Sequence, residues 1–160
     1  MKKLFTVILA VALMATMSVT AFATDVTTDG GTGFTDVYFG VDPTYTVTIP
    51  AMVELQKIDT DGTITYENDY TITAEAGVRL LKNQYIEVTI ASDYVMQTPQ
   101  GATLAYTITK DNAALVNAVV ATFNTNKAEQ TSKIHIAAGD PDFAGNYSDT
   151  VTFTLTVKTN

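Results

Sequence analysis

Threonine alternates with large apolar residues at two widely separated places in this chain. Tyr45, Val47 and Ile49 alternate with Thr44, Thr46 and Thr48; Val151, Phe153, Leu155 and Val157 alternate with Thr150, Thr152, Thr154 and Thr156. A period of two sends successive side chains to opposite faces of a β-strand, so both segments predict strands with one buried and one wet face. Similar runs lie at residues 64–66, 70–73, 85–91, 104–109, 119–124 and 133–137. Turn-forming residues separate them: Asp61-Gly62, Asn68-Asp69, Pro99-Gln100-Gly101, Asp111-Asn112, Gly139-Asp140-Pro141 and Gly145-Asn146.

No segment between these runs is long enough for a crossover helix, so the pattern predicts an all-β fold: an antiparallel Ig-like or jelly-roll β-sandwich of about 8–10 short strands. The expected core contains Val47, Ile49, Val88, Ile90, Tyr106, Ile108, Ile134, Ile136, Val151, Phe153 and Leu155. Residues 111–121 also admit a short helix or turn before the strand at Val119, because Asp111 is a good N-cap and Leu115, Ala118 and Val119 follow at helical spacing.

The chain begins differently. Lys2 and Lys3 precede an apolar run from Leu4 to Met14, and Ala21-Phe22-Ala23 gives a small-x-small signal, so residues 1–23 read as a secretory signal peptide cleaved before Thr24. Residues 24–33 hold one sizeable apolar side chain, Val26, among three glycines, and predict a flexible lead-in. Residues 34–160 form the single sandwich domain. No second apolar segment follows and the last residues carry no hydrophobic tail or sorting motif, so the expected product is secreted or displayed at the cell surface, with no membrane insertion after cleavage.

Composition narrows the chemistry. There is no cysteine, which excludes a disulfide framework, a zinc-thiolate site and a thiol nucleophile. Removal of the leader leaves seven basic residues, scattered singly from Lys57 to Lys158, against 17 acidic ones. Nucleic-acid backbones are bound by clustered Lys and Arg, so nucleic acid is not an expected partner. The 29 threonines suit the wet faces of strands, where Thr–Thr pairs across strands stabilise sheets, and this accounts for them without an ice-binding surface.

The C-terminal stretch from Gly139 to Val157, with its Ala144-Gly145-Asn146-Tyr147-Ser148-Asp149-Thr150-Val151-Thr152 segment, resembles the closing strand of pilin-like and spore-coat-U-like β-sandwiches. Leu104-Ala105-Tyr106-Thr107-Ile108 is similar to their mid-domain strand. With Tyr45-Thr46-Val47-Thr48-Ile49-Pro50, the ensemble is also similar to small secreted β-sandwich proteins of Firmicutes. The resemblance implies an Ig-like sandwich and a structural or interaction role at the cell surface, with other copies of the chain or other surface proteins as partners. The pilin-type cysteines and terminal Tyr pattern are absent.

Candidate sites are few. His135, the sole histidine, lies between Ile134 and Ile136 and is expected to point outward; Ser92, Ser132 and Ser148 sit in no nucleophile elbow. No catalytic residue and no cofactor is expected, and an enzyme is not the reading. Asp59-Thr60-Asp61-Gly62 with Glu67 resembles the opening of a calcium loop, but a tight hairpin uses the same residues. A secreted binding module for a glycan or calcium is the alternative function, with Tyr38, Tyr66, Tyr70, Tyr85 and Tyr94 available for a glycan. Asn146-Tyr147-Ser148 matches a glycosylation sequon. The segment 34–41, with Phe34, Val37, Tyr38 and Phe39, reads in two ways: a strand donated to a neighbouring molecule, or the first strand of its own domain.

Overall fold

The structure is a computed structural model that describes residues 6–10 and 39–160. Eleven antiparallel strands occur there, ten of them after residue 23: β1 (Thr6–Ala10), β2 (Thr46–Pro50), β3 (Gln56–Thr60), β4 (Thr63–Ala74), β5 (Gln84–Ala91), β6 (Val95–Gln97), β7 (Thr103–Lys110), β8 (Ala113–Ala114), β9 (Val119–Asn124), β10 (Gln130–Ala138) and β11 (Thr152–Thr159). They make two sheets. The larger runs β1-β2-β4-β10-β7-β6, with β3 also on β4 and β8 also on β7; the smaller runs β11-β5-β9. The expected all-β sandwich is therefore the fold, and among the described residues there is no helix.

The apolar halves of the alternating patterns meet between the sheets. Val47, Ile72, Ala74, Ile108 and Ile134 from the large sheet are buried against Ile86, Val88, Ile90, Val120 and Phe123 from the small one. Every residue of the expected core belongs to this cluster, although Ile49, Ile136, Val151, Phe153 and Leu155 are only partly buried. The last three belong to β11 or its approach, and β11 is an edge strand paired only with β5, so one flank of its inner face stays wet.

Three local features depart from the sequence reading. The alternative helix at 111–121 is absent: Asp111 and Asn112 have φ of 50° and 61° and close the two-residue hairpin between β7 and β8. Asn117 and Ala118 are also left-handed, a backbone that a right-handed helix cannot accommodate. Asn68-Asp69 is not a turn but the middle of β4. There the strand is held by Ile136 and His135 opposite it on β10, while Asp69 takes its charge partners from the outer face. Finally, a bulge where β9 faces Val88 and Thr89 buries Val120 and Ala121 consecutively, and the buried Ser132 hydroxyl donates to the Val120 carbonyl at 2.6 Å.

Candidate functional site

The small sheet does not cover the whole inner face of the large one. Beyond Tyr70, loops 50–55 and 141–151 join strand residues in enclosing a cleft of about 790 Å³. Tyr66 and Tyr70 of β4, Met96 of β6, Leu104 of β7, Ile136 of β10 and Phe153 of β11 form its walls. Each belongs to the inward set of its strand, so the alternation that builds the core also builds the cleft. Met52 and Phe143, 78% and 67% exposed, stand on the loops that frame it.

Tyrosines concentrate at this end. Tyr70 packs edge-on to Phe153, ring centroids 6.5 Å apart, and Tyr94 lies against Tyr106 at 6.0 Å. Tyr70 is only 8% exposed, and its hydroxyl has no hydrogen-bond partner among the described residues. Leaving such a group unpaired costs about 1–3 kcal/mol, and burial pushes its pKa upward. Tyr106, by contrast, is fully engaged: its hydroxyl donates to Asp149 Oδ2 at 2.6 Å and lies 2.8 Å from Ser92 Oγ, which also donates to Asp149 Oδ2 at 2.8 Å. Burial first, and the bond to Asp149 second, push the Tyr106 hydroxyl up to about 12. The Tyr106 hydroxyl in turn holds the Asp149 carboxyl below its usual range.

This trio latches the loop before β11 onto β7. Two further contacts fix the loop: a pair of backbone bonds between Gln97 and Ser148, and Gly145 pressed against the buried Thr98. A Cβ at Gly145 would meet Thr98 Cγ2 at 2.7 Å, so no larger residue fits without movement there. Tyr147, within the sequon, donates to the Phe143 carbonyl at 2.8 Å.

The calcium candidates and the histidine singled out in the sequence lie elsewhere. Asp61 and Gly62 form the two-residue turn between β3 and β4, with φ of 52° and 83°, and Asp59 accepts the Gly62 N–H at 3.0 Å. Glu67 stands at the other end of that hairpin, opposite Gln56, and is engaged by Thr65 and His135. The structure thus brings Asp59 and Asp61 to one turn and Glu67 to another neighbourhood; among the described residues no group of three His, Cys, Asp or Glu is placed to hold a metal ion. His135 points to the outer face as expected, between Glu67 at 3.3 Å and Asp69 at 2.9 Å, with Lys133 on the far side of Asp69 at 2.7 Å. Nothing in the spacing of a single histidine announced that cluster, because its members come from two strands.

Phe34, Val37 and Tyr38 lie outside the described residues. Phe39 is 91% exposed, and residues 39–41 belong to no strand. Of the other tyrosines offered for a glycan, Tyr66 lines the cleft, Tyr70 and Tyr94 pack inward, and Tyr85 sits half-buried on β5 opposite Lys158. The signal missed in the sequence was the cleft, whose walls read as ordinary core positions.

The sheet edge beside it carries a different kind of opening. β2 is joined to β4 at only two positions, Val47 with Ala74 and Thr48 with Thr73, whereas β1 pairs with β2 along all five residues, from Thr6 with Pro50 to Ala10 with Thr46.

No family model matches the chain, and no curated protein matches it in sequence. Among solved structures it is similar to the P pilus rod subunit PapA, with a TM-score of 0.44 and 12% identity over 61% of this chain and 83% of that one. It is also similar to a chain of the chaperone–tip adhesin complex of CFA/I fimbriae biogenesis (TM-score 0.42, 16% identity, 68% of this chain and 39% of that one). A third likeness is to the CsuC–CsuE chaperone–tip adhesion subunit complex of Csu pili from Acinetobacter baumannii (0.40, 18%, 69% and 42%), so the chain spans about two-fifths of the length of these last two.

Proposed function

We propose that the chain is a secreted or cell-surface structural and interaction subunit that associates with copies of itself by strand addition. The observation that carries this reading is the ladder between β1 and β2. β1 lies within residues 1–23, so cleavage after Ala23 takes it away and leaves β2 with its two pairings to β4. A strand edge with unpaired N–H and C=O groups is a template for a further strand, and backbone bonds supply much of the affinity of such additions. The register already used by β1 is the one a replacement would adopt: antiparallel, opposite Thr46–Pro50.

The donor in this reading is segment 34–41, whose apolar Phe34, Val37, Tyr38 and Phe39 lie beyond ten polar and glycine-rich residues after the cleavage site. A lead-in of that composition lets the segment reach a neighbour. The exposure of Phe39 supports the same reading, since an aromatic ring left in water gains from any partner that covers it.

The test compares the secreted protein with a form that lacks residues 24–39, by light scattering over a range of concentrations. Multimers that grow with concentration in the intact protein, and are absent from the truncated one, are expected. An intact protein that stays monomeric at high concentration contradicts the reading.

A further inference from the structure

We propose that β11 pairs edge to edge with β11 of a second copy, antiparallel about a two-fold axis at Thr154. This contact uses a different edge from β2, so it stands or falls separately from strand addition there.

The free edges of the two sheets are not alike. Unpaired backbone groups on an edge strand are a template for another chain, and proteins blunt them with short strands, charges or side chains that take up the bonds. β6 and β8 have three and two residues, and Gln97 of β6 is bonded to Ser148. β3 carries Lys57 and Asp59. On β9, the edge away from β5 is answered from β10: Ser132 donates to the Val120 carbonyl, and the Gln130 amide accepts from the Asn124 N–H and donates to its carbonyl. β11 has none of these devices. It is eight residues long, uncharged from Thr152 to Val157 and free of proline, and among the described residues it pairs with β5 alone.

The strand is also complementary to itself. A two-fold contact sets one surface against its own copy, so the strand must match its own reverse. Thr152-Phe153-Thr154-Leu155-Thr156 does so: about Thr154, Thr152 meets Thr156, Phe153 meets Leu155 and, one step further out, Val151 meets Val157. The threonine pairs fall on the outer face, where such pairs stabilise a sheet. The apolar pairs fall on the inner face, where Phe153 and Leu155 are only partly buried and Val157 is 38% exposed. Charge fixes the register. Lys158 is the one charged side chain of β11, and this alignment sets it against Thr150 of the second copy, one residue from Asp149. Centring the pair on Leu155 instead moves Lys158 opposite Thr152, away from that carboxylate, and sets Val151 against Thr159.

The chain has no cysteine, so single cysteines introduced into the secreted protein report the contact. Opposed Cα atoms of an antiparallel pair lie about 4.5–5.5 Å apart, within reach of a disulfide. The experiment follows disulfide dimers on non-reducing gels during mild oxidation of Thr154→Cys, Thr152→Cys and Thr122→Cys, the last an exposed position on the answered strand β9. Thr154→Cys is expected to cross-link at least about tenfold faster than Thr122→Cys, because the axis holds its two thiols together. Thr152→Cys should not cross-link with itself, and should do so rapidly when mixed with Thr156→Cys. The bond reports β11 alone, whatever strands add at β2. Equal rates for Thr154→Cys and Thr122→Cys, self-linking of Thr152→Cys as fast as that of Thr154→Cys, or a mixture of Thr152→Cys and Thr156→Cys that does not link overturns the proposal.

Discussion

One strand passes through two environments. From Tyr70 to Ala74, β4 buries every second residue, with Ile72 and Ala74 fully enclosed; from Thr63 to Asp69 no residue is fully buried and residues 64–68 are all half-buried. Local sequence does not explain the change, since Ile64 and Tyr66 are as suited to a core as Tyr70 and Ile72. The difference lies across the gap: β5, β9 and the start of β11 pack over the second half, and only loops face the first. One end of the sandwich thus supplies stability, through side chains enclosed on both sides. The other keeps apolar walls partly open, which costs stability and leaves surface for a partner.

Substitutions at the two ends test this contrast. Phe123→Ala at the sealed end, where the ring is 1% exposed, should cost about 3–5 kcal/mol in urea unfolding, enough to unfold a domain of marginal stability. Phe153→Ala at the open end removes the same ring from a partly exposed position and should cost about 2 kcal/mol. Equal losses at the two sites would mean that the ends are equally sealed.

The latch gives a pH test. Asp149 has its pKa lowered, chiefly by the Tyr106 hydroxyl, so its contribution is present above the unfolded value of about 4 and is lost as pH falls through the lower folded value. Tyr106 has its pKa raised, so its contribution is complete below the unfolded value near 10 and is lost as pH rises towards about 12. Urea midpoints measured across both windows should fall at each extreme, and Tyr106→Phe should flatten both arms relative to the parent. Identical profiles would remove the latch from the account. The smallest effect is expected from Thr152→Ala on the exposed face of β11, well under 1 kcal/mol.

Much of this architecture was legible because period-two patterning needs no long-range information. Val47, Val88, Ile108 and Ile134 reveal their faces through their immediate neighbours, and Asp61-Gly62 and Asp111-Asn112 announce hairpins by residue type. Features set by pairing across the sheets were not legible. Asn68-Asp69 has the composition of a turn, yet its pairing to β10 and an outer-face ion-pair cluster keep it extended. The His135 cluster, the Tyr106–Asp149–Ser92 latch and the cleft each join residues from strands or loops far apart in the chain. The proposed donor residues Phe34, Val37 and Tyr38 rest on the sequence pattern alone.

The open end and the edge of β2 are unfinished in different currencies, since the cleft lacks side-chain cover and β2, under the proposed removal of β1, keeps only its two pairings to β4. The second deficit underlies the claim of assembly, and hydrogen exchange reads it directly. In the secreted protein, the amides of Thr46–Ile49 should exchange fast when dilute and gain protection as concentration rises, while those of Ile72, Ile86 and Phe123 stay protected throughout. Exchange at Thr46–Ile49 that is the same in dilute and concentrated protein would contradict strand addition at β2.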